Sequence, residues 1–312
     1  IAKIAGLASL WFICSALTNG TNKVILTTAP YPITLTMIQF ITIIIYCLIL
    51  IKFNLTRVTT LKMTNATILR KVIPLSIGHI GTRLFHQFAL EFVPVSFVHT
   101  VKATAPIFAI ILSRVIMNER HSFKIIMTIF PIISGVAIAA TNELNFHYIG
   151  FVSALCGTCS ITLLNVFTKR ILVEKQITEI QLLLMTDILG ICLLTPFWVL
   201  LEGLGLFQHL SENGTHLITL VFLNGFCYFG QVILAFALIN TVSNLTYSVC
   251  SVSKRVFVIL MAVMYFGNEI KPLNAFGIAL AIVGTLLYSK LNYDELAKHK
   301  KSTRATYENI LK

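Results

Sequence analysis

Three basic residues stand in stretches that are otherwise apolar enough to cross a bilayer. Lys254 and Arg255 are adjacent within the segment 244–259, and Lys102 occupies a similar stretch earlier in the chain. A charge at the bilayer centre costs roughly 2.5–3.5 kcal/mol on insertion scales, so it persists only where it faces a cavity, a partner or a ligand. Asp187 is the only carboxylate well inside a predicted crossing, which leaves positive charge in excess.

This excess favours reversible binding of an anion. A phosphoryl group carries about −1.5 to −2 charges near pH 7 and offers several strong acceptors. Arginine can bind it through two parallel hydrogen bonds, and lysine binds it as a point charge. We therefore predict a phosphate site formed by Lys102, Lys254 and Arg255. The alternative is that these residues snorkel or pair within the protein, for example with Asp187, and their central depth argues against snorkelling.

Further polar residues are candidates for the wall of the same pocket: Arg83, His86, His99, Gln231 and Tyr247. Each histidine alone is also explained as a neutral side chain that hydrogen-bonds a neighbouring helix, and such packing contacts are typically worth only ~0.6 kcal/mol. No nucleophile motif, phosphate-binding glycine loop or metal-binding histidine pair stands out. We therefore expect neither an enzyme nor a cofactor, and no metal site.

The elements that must position these residues are membrane helices. Of the 312 residues, 56% are hydrophobic and only 12% are charged, and the mean hydropathy of +0.85 is typical of a polytopic membrane protein. Taking about 20 apolar residues as one crossing, we predict an all-α membrane protein with ten transmembrane helices. They are predicted at 5–26, 33–52, 72–92, 95–117, 122–141, 147–168, 180–201, 216–240, 243–266 and 271–290.

The loops between these helices differ in charge. Most of the 24 lysines and arginines fall on the face that holds both termini, whereas the opposite face receives Lys23 and Lys271 together with several glutamates. By the positive-inside rule, both termini are cytosolic. The net charge of +12 thus reflects topology in a lipid bilayer and does not indicate a nucleic-acid partner.

An internal repeat relates the two halves of the chain. Asn19 and Lys23 at the end of the first predicted helix are matched by Asn165 and Lys169 at the end of the sixth. We predict a transmembrane domain at 1–292, with repeats at about 1–145 and 146–292, and a cytosolic polar tail at 293–312. Because each half has an odd number of crossings, the repeats are inverted, and their shared substrate site is expected near the membrane midplane.

Pro106 predicts a kink in the helix that carries Lys102. Proline has no N–H to bond the carbonyl four residues earlier, which is that of Lys102. The helix is therefore expected to bend where its lysine lies.

Three motifs carry a family resemblance. The segments 95–106 (VSFVHTVKATAP), 248–256 (SVCSVSKRV) and 284–289 (GTLLYS) resemble the triose-phosphate translocator family of the drug/metabolite transporter superfamily. The resemblance implies ten helices in two inverted repeats and exchange of inorganic phosphate for phosphorylated C3, C5 or C6 compounds. By that analogy, Lys102, Lys254 and Arg255 grip the phosphate.

The pocket around this grip departs from the plastid members of the family. They commonly have glutamate where Ala105 stands, histidine where Arg83 stands and a substrate-contacting tyrosine where Gln231 stands. The motifs are closer to solute carrier family 35 subfamily E, which favours the Golgi or another secretory membrane over the plastid envelope. A nucleotide-sugar transporter and a non-transporting membrane scaffold are the alternative functions.

Overall fold

The computed structural model describes the backbone of residues 2–53, 66–116, 118, 121–173 and 178–310. Every regular element within these ranges is helical, which confirms the predicted all-α class. The helices are α1 (Ala2–Thr28), α2 (Pro32–Lys52), α3 (Ala66–Phe92), α4 (Val95–Val101), α5 (Ala105–Ile116), α6 (Phe123–Met127), α7 (Ile129–Thr141), α8 (Tyr148–Val173), α9 (Glu179–Leu201), α10 (Gly203–Thr241), α11 (Asn244–Phe266) and α12 (Pro272–Ile310).

Nine helical stretches of the described chain are long and apolar enough to cross a membrane. They match nine of the ten predicted crossings, with α4 and α5 forming one stretch and α6 and α7 another. The remaining predicted crossing, at 72–92, is α3, which His79, Arg83 and His86 make more polar than the others. The chain is therefore an all-α membrane protein, and the count of ten crossings stays a prediction.

Two helices extend beyond their predicted crossings. Helix α10 begins at Gly203, whereas the sequence pattern placed its start near residue 216, and α12 continues to Ile310 through most of the predicted polar tail. Both extensions are free of proline, and a helix propagates at little cost once it has begun. An apolar pattern detects only the part of a helix that needs an apolar environment. The last two residues of the predicted tail, 311 and 312, lie outside the described residues.

The helices pack in reciprocal pairs. Helix α1 packs extensively on α10 and α3 on α8, while α7 packs on α12, α2 on α9 and α4 on α11. If each half is numbered as five crossings, α1 and α3 are the first and third crossings of one half, and α8 and α10 are those of the other. In the first two pairs, the first crossing of one half therefore packs on the third crossing of the other half. In the remaining three pairs, each crossing packs on the crossing with the same number in the other half. This is the pattern that a two-fold relation between the halves produces.

Small residues let α7 and α12 approach closely. A Cβ atom built on Gly135 would lie 2.5 Å from the backbone nitrogen of Ala281, and one on Gly277 would lie 2.6 Å from the carbonyl oxygen of Gly135. No side chain fits at such distances, so both positions require glycine. Small residues at a helix crossing are the usual means by which membrane helices come close enough for good packing.

A buried network of amides ties four helices together beside the site. The Gln39 amide of α2 donates to Asn22 of α1 at 3.0 Å and to Asn224 of α10 at 2.9 Å. Gln87 of α3 donates to the Gln39 side-chain oxygen at 3.1 Å. All four side chains are buried, and these hydrogen bonds join α1, α2, α3 and α10 at one place in the membrane domain.

The helix that carries Lys102 is interrupted as Pro106 predicts. Residues Lys102–Thr104 form a 3₁₀ turn between α4 and α5. Two carbonyls of this turn accept hydrogen bonds from the second half of the chain. Arg255 Nη1 of α11 donates to the Lys102 oxygen at 3.0 Å, and Thr285 Oγ1 of α12 donates to the Ala103 oxygen at 3.3 Å. The 3₁₀ turn is therefore a point of contact between the halves of the chain.

Candidate functional site

The structure brings the three cations of the predicted phosphate site together. The 3.0 Å hydrogen bond from Arg255 Nη1 to the Lys102 carbonyl joins α11 to the kink, and Lys254 and Arg255 both act electrostatically on the Lys102 ammonium. All three side chains are partly exposed. Among the described residues, no carboxylate lies within salt-bridge distance of any of them. Within the described part of the chain, the site is therefore a concentration of positive charge without a neutralising carboxylate nearby.

His86 of α3 orients the Lys102 side chain. Lys102 Nζ lies 3.1 Å from His86 Nδ1, and His86 Nε2 lies 3.1 Å from the side-chain oxygen of Asn19 in α1. In one arrangement the ammonium donates to Nδ1 of a neutral imidazole, and the Nε2–H donates to the amide oxygen. The predicted pocket residue His86 thus contacts the predicted phosphate ligand Lys102.

Lys254 lies over an aromatic platform from α1. Its ammonium is 4.2 Å from the ring centroid of Trp11, and the Trp11 ring stacks on Tyr247 with centroids 5.6 Å apart. A cation over a tryptophan face is attracted by the ring quadrupole. The platform holds the ammonium in place without neutralising its charge. Tyr247, a predicted pocket residue, lies one layer behind Lys254.

A fourth cation, Arg83, adds to the positive charge of the site. Its guanidinium carbon lies 4.1 Å from the centroid of the Tyr228 ring, and its charge acts on both Lys102 and Lys254. Within the described part of the chain, its buried Nε has no hydrogen-bond partner, and neither does the buried Oε1 of Gln231. Because a buried polar atom without a partner costs about 1–3 kcal/mol, these two side chains are suited to hydrogen-bond a ligand.

The two remaining sequence predictions have different outcomes. His99 is 5% exposed and lies with its ring centroid 6.5 Å from that of His86, and neither of its ring nitrogens has a partner among the residues that the structure describes. It therefore lies beside His86 in the wall. Asp187, considered as an internal partner for the cations, is instead next to His79, with Nδ1 and Oδ1 3.1 Å apart.

Two residues of the site were missed at the sequence level. Trp11 is 2% exposed and lies beneath Lys254, but an aromatic residue in an apolar helix is equally typical of a lipid-facing or core position. Asn19 was noted only as a repeat marker, although a buried amide in a membrane helix needs a polar partner. Its contact with His86 supplies one.

Comparison with known proteins identifies the family. The model described as "Triose-phosphate Transporter family" matches residues 2–289. The chain belongs to this family. It is 32% identical over 298 residues to phosphoenolpyruvate/phosphate translocator 3, chloroplastic, of Oryza sativa subsp. japonica, covering 93% of this chain and 75% of that protein. It is 28% identical over 293 residues to glucose-6-phosphate/phosphate translocator 2, chloroplastic, of Arabidopsis thaliana, covering 92% of this chain and 75% of that protein.

A solved crystal structure supports the fold of this triose-phosphate transporter family member. The two superimpose with a TM-score of 0.56 at 17% identity, over 92% of this chain and 96% of the other. At this identity the likeness concerns the fold alone. The resemblance seen in the motifs around Lys102 and Lys254 is confirmed by the family match, which extends over nearly the whole chain.

Proposed function

We propose that the chain is a secondary transporter that exchanges inorganic phosphate for a phosphorylated sugar or triose by alternating access. The observation that carries this proposal is the convergence of Lys102, Lys254 and Arg255 at a kinked point inside a membrane domain, with no described carboxylate close enough to neutralise them. Uncompensated cations at that depth are costly, and a phosphoryl dianion supplies the missing charge. Nothing in this arrangement calls for catalysis.

The relatives support the same class of substrate. Their names record phosphate exchange with phosphoenolpyruvate in one case and with glucose 6-phosphate in the other. The phosphoryl group is common to both partners, whereas the remainder differs in size and charge. In this chain the phosphate contacts are assigned to Lys102, Lys254 and Arg255, and discrimination to the surrounding wall of Arg83, His86, His99, Gln231 and Tyr247.

The transport cycle follows from two repeats that rock around one site. The reciprocal helix pairs support inverted repeats at about 1–145 and 146–292, which would expose the site to one side of the bilayer at a time. The excess of basic residues on one face supports cytosolic termini. We place the protein in the Golgi or another secretory membrane, with the plastid envelope as the alternative because the relatives named above are chloroplastic.

Charge explains why transport is exchange. An unloaded site would carry the positive charges of Lys102, Lys254 and Arg255 through an occluded intermediate from which water is excluded. A bound phosphoryl dianion cancels most of that charge. The ligand therefore stabilises the occluded state more than the open ones, and only such differential stabilisation can speed reorientation.

The decisive experiment is uptake of labelled phosphate into proteoliposomes that contain the purified protein. Separate batches are preloaded with phosphate, triose phosphates, hexose phosphates or nucleotide sugars. Uptake that needs internal phosphate or a phosphorylated sugar supports the proposal. Uptake driven by nucleotide sugars alone would favour the nucleotide-sugar transporter.

Ligand-dependent stability separates a transporter from a scaffold with the same fold. A ligand present at 100 times its dissociation constant stabilises the folded state by about 2.7 kcal/mol. Thermal unfolding in detergent should therefore shift upwards with phosphate or a phosphorylated metabolite. Unchanged melting with every phosphorylated compound would support the scaffold.

A further inference from the structure

A pair of titratable side chains, His79 and Asp187, lies between α3 and α9, away from the phosphate contacts. His79 Nδ1 of α3 is 3.1 Å from Asp187 Oδ1 of α9, and Asp187 is fully buried. The two atoms touch without a well-aligned hydrogen bond, and neither carboxylate oxygen has another partner in the part of the chain that the structure describes. Phe40 of α2 covers the imidazole with ring centroids 5.1 Å apart.

The charge of this pair depends on a single proton. With one proton, as carboxylic acid and imidazole or as carboxylate and imidazolium, the pair is neutral. Without it, the pair carries one negative charge in an environment where an uncompensated charge is costly. A single proton shared by the two side chains therefore decides the charge of the pair.

A cavity leads to the pair. It has a volume of about 170 Å³, and its lining includes His79, Asn165, Thr168, Glu179 and Thr186 among apolar side chains. Glu179 is the first residue of α9. The basic loops place this end of α9 on the cytosolic side. The cavity thus gives access to His79 from a side that does not include the phosphate contacts.

The pair is electrostatically linked to the phosphate site through Arg83. Arg83 lies one helical turn after His79 on α3, so both project from the same face. Its charge acts on Asp187 and also on Lys102 and Lys254. Among the residues that the structure describes, the other titratable groups that interact electrostatically with Asp187 are Cys47 of α2 and Tyr228 of α10.

We propose that His79 and Asp187 form a proton-binding site coupled to the anion site, so that a phosphorylated anion and a proton are bound together. This inference rests on the proposed function. An anion bound among the cations removes part of the positive charge that opposes protonation of the pair, and by linkage a protonated pair raises the affinity for the anion. The proton enters from the open side onto the carboxylate or the imidazole and leaves with the anion. Charge compensation at the phosphate site is enough to explain exchange. The proton-binding site is therefore an additional feature of the carrier.

Calorimetry on the full-length protein in detergent tests the proposal. Binding of inorganic phosphate is measured at one pH in two buffers of different ionisation enthalpy, which gives the protons taken up per bound anion. The same measurement is made on Asp187→Asn. The difference between the two proteins gives the protons taken up by the pair, because phosphate itself gains or loses the same number of protons in each case. Wild type should take up more protons than Asp187→Asn, by up to about one per anion.

The matched control is Glu179→Gln, which alters another carboxylate that lines the same cavity. It should keep the wild-type proton uptake. His79→Gln is a second variant with the same expected loss as Asp187→Asn, in case the aspartate substitution prevents folding. Equal proton uptake in wild type and in a folded pair variant would overturn the proposal while leaving the transporter intact. Absence of any phosphate binding by wild type would overturn the proposed function and this inference with it.

Discussion

The guanidinium of Arg255 donates a 3.0 Å hydrogen bond to the backbone carbonyl of Lys102. This carbonyl is the one that Pro106 cannot bond in an α-helix. Two residues predicted to bind the same anion, one from each half of the chain, are thus in direct contact. Arg255 therefore has a structural contact in addition to its proposed contact with phosphate.

We predict that the three cations differ in their effect on stability. Lys102→Gln, Lys254→Gln and Arg255→Gln should each abolish phosphate exchange in proteoliposomes. Removal of a lysine charge relieves an insertion cost, so the first two should leave the melting temperature unchanged or higher. Arg255→Gln relieves a similar insertion cost but also loses the hydrogen bond to the Lys102 carbonyl, worth about 1.5–3 kcal/mol, so it should melt at a lower temperature than the two lysine variants. Wild-type exchange in all three variants would rule out the phosphate site.

We expect Trp11 to matter through the face of its ring. Trp11→Leu removes the cation–π contact with Lys254, worth about 0.5–2 kcal/mol, and should raise the KM for phosphate several-fold. Trp11→Phe, which keeps an aromatic face, should retain part of the affinity. The control is Trp198→Phe, since Trp198 instead donates to Thr34 at 2.9 Å. Equal KM values for the leucine and phenylalanine variants would show that only packing is involved.

Arg83 should discriminate between substrates. Its Nε, which has no hydrogen-bond partner among the described residues, and its contribution to the positive charge suit a second anionic group such as a carboxylate. Arg83→Gln should weaken inhibition by 3-phosphoglycerate about tenfold or more, the size of a lost charge-assisted hydrogen bond, while inhibition by dihydroxyacetone phosphate changes little. Arg114→Gln, at an exposed arginine, is the control. An equal weakening of inhibition by both compounds would mean that Arg83 binds the phosphoryl group that they share.

Transport should be obligate exchange. Efflux of labelled phosphate from loaded proteoliposomes should be slow into buffer that lacks a substrate and much faster once phosphate is added outside. The reason is the uncompensated charge of Lys102, Lys254 and Arg255 in the unloaded carrier. Equal efflux rates in the two conditions would show that reorientation does not depend on charge compensation.

We predict that two glycine substitutions differ in their effect on stability, because only one of them lies where α7 packs closely on α12. Gly135→Ala places a Cβ atom 2.5 Å from a backbone nitrogen and should destabilise the protein by about 1–3 kcal/mol. Gly6→Ala meets nothing within 4 Å and should be neutral or stabilising by up to about 1 kcal/mol. Thermal unfolding of both variants measures the difference, and equal melting temperatures would contradict the close approach.

The sequence predicts the charged centre of the site better than its walls. Lys102 and Arg255 could be placed together because each breaks an apolar stretch and each lies in a corresponding helix of the repeat. The partners of Lys254 and Asp187 could not be predicted, because contacts with Trp11 and His79 depend on how distant helices pack. The sequence pattern around an aromatic residue or a histidine in an apolar helix does not indicate which residue of a distant helix it contacts.

The contact that Lys23 makes was also beyond the sequence pattern. Lys23 was expected at the end of the first predicted crossing, and it lies within α1, which extends to Thr28. Its ammonium donates to the carbonyl of Leu90 at 2.7 Å, near the end of α3. A cation at the end of a helix satisfies carbonyls that have no partner within it. Hydropathy alone does not report such a capping contact.

The reciprocal packing of the helices has a consequence for biosynthesis. Helix α3 carries His79, Arg83 and His86, and its most extensive packing is on α8. That helix leaves the ribosome only after α4 to α7 have been made. Until it arrives, the early contact from Asn19 of α1 to His86 covers only part of the polar face of α3, and an unshielded polar face is costly in lipid. We therefore expect the first half to become stable in the lipid bilayer only after α8 has been inserted and has covered the polar face of α3.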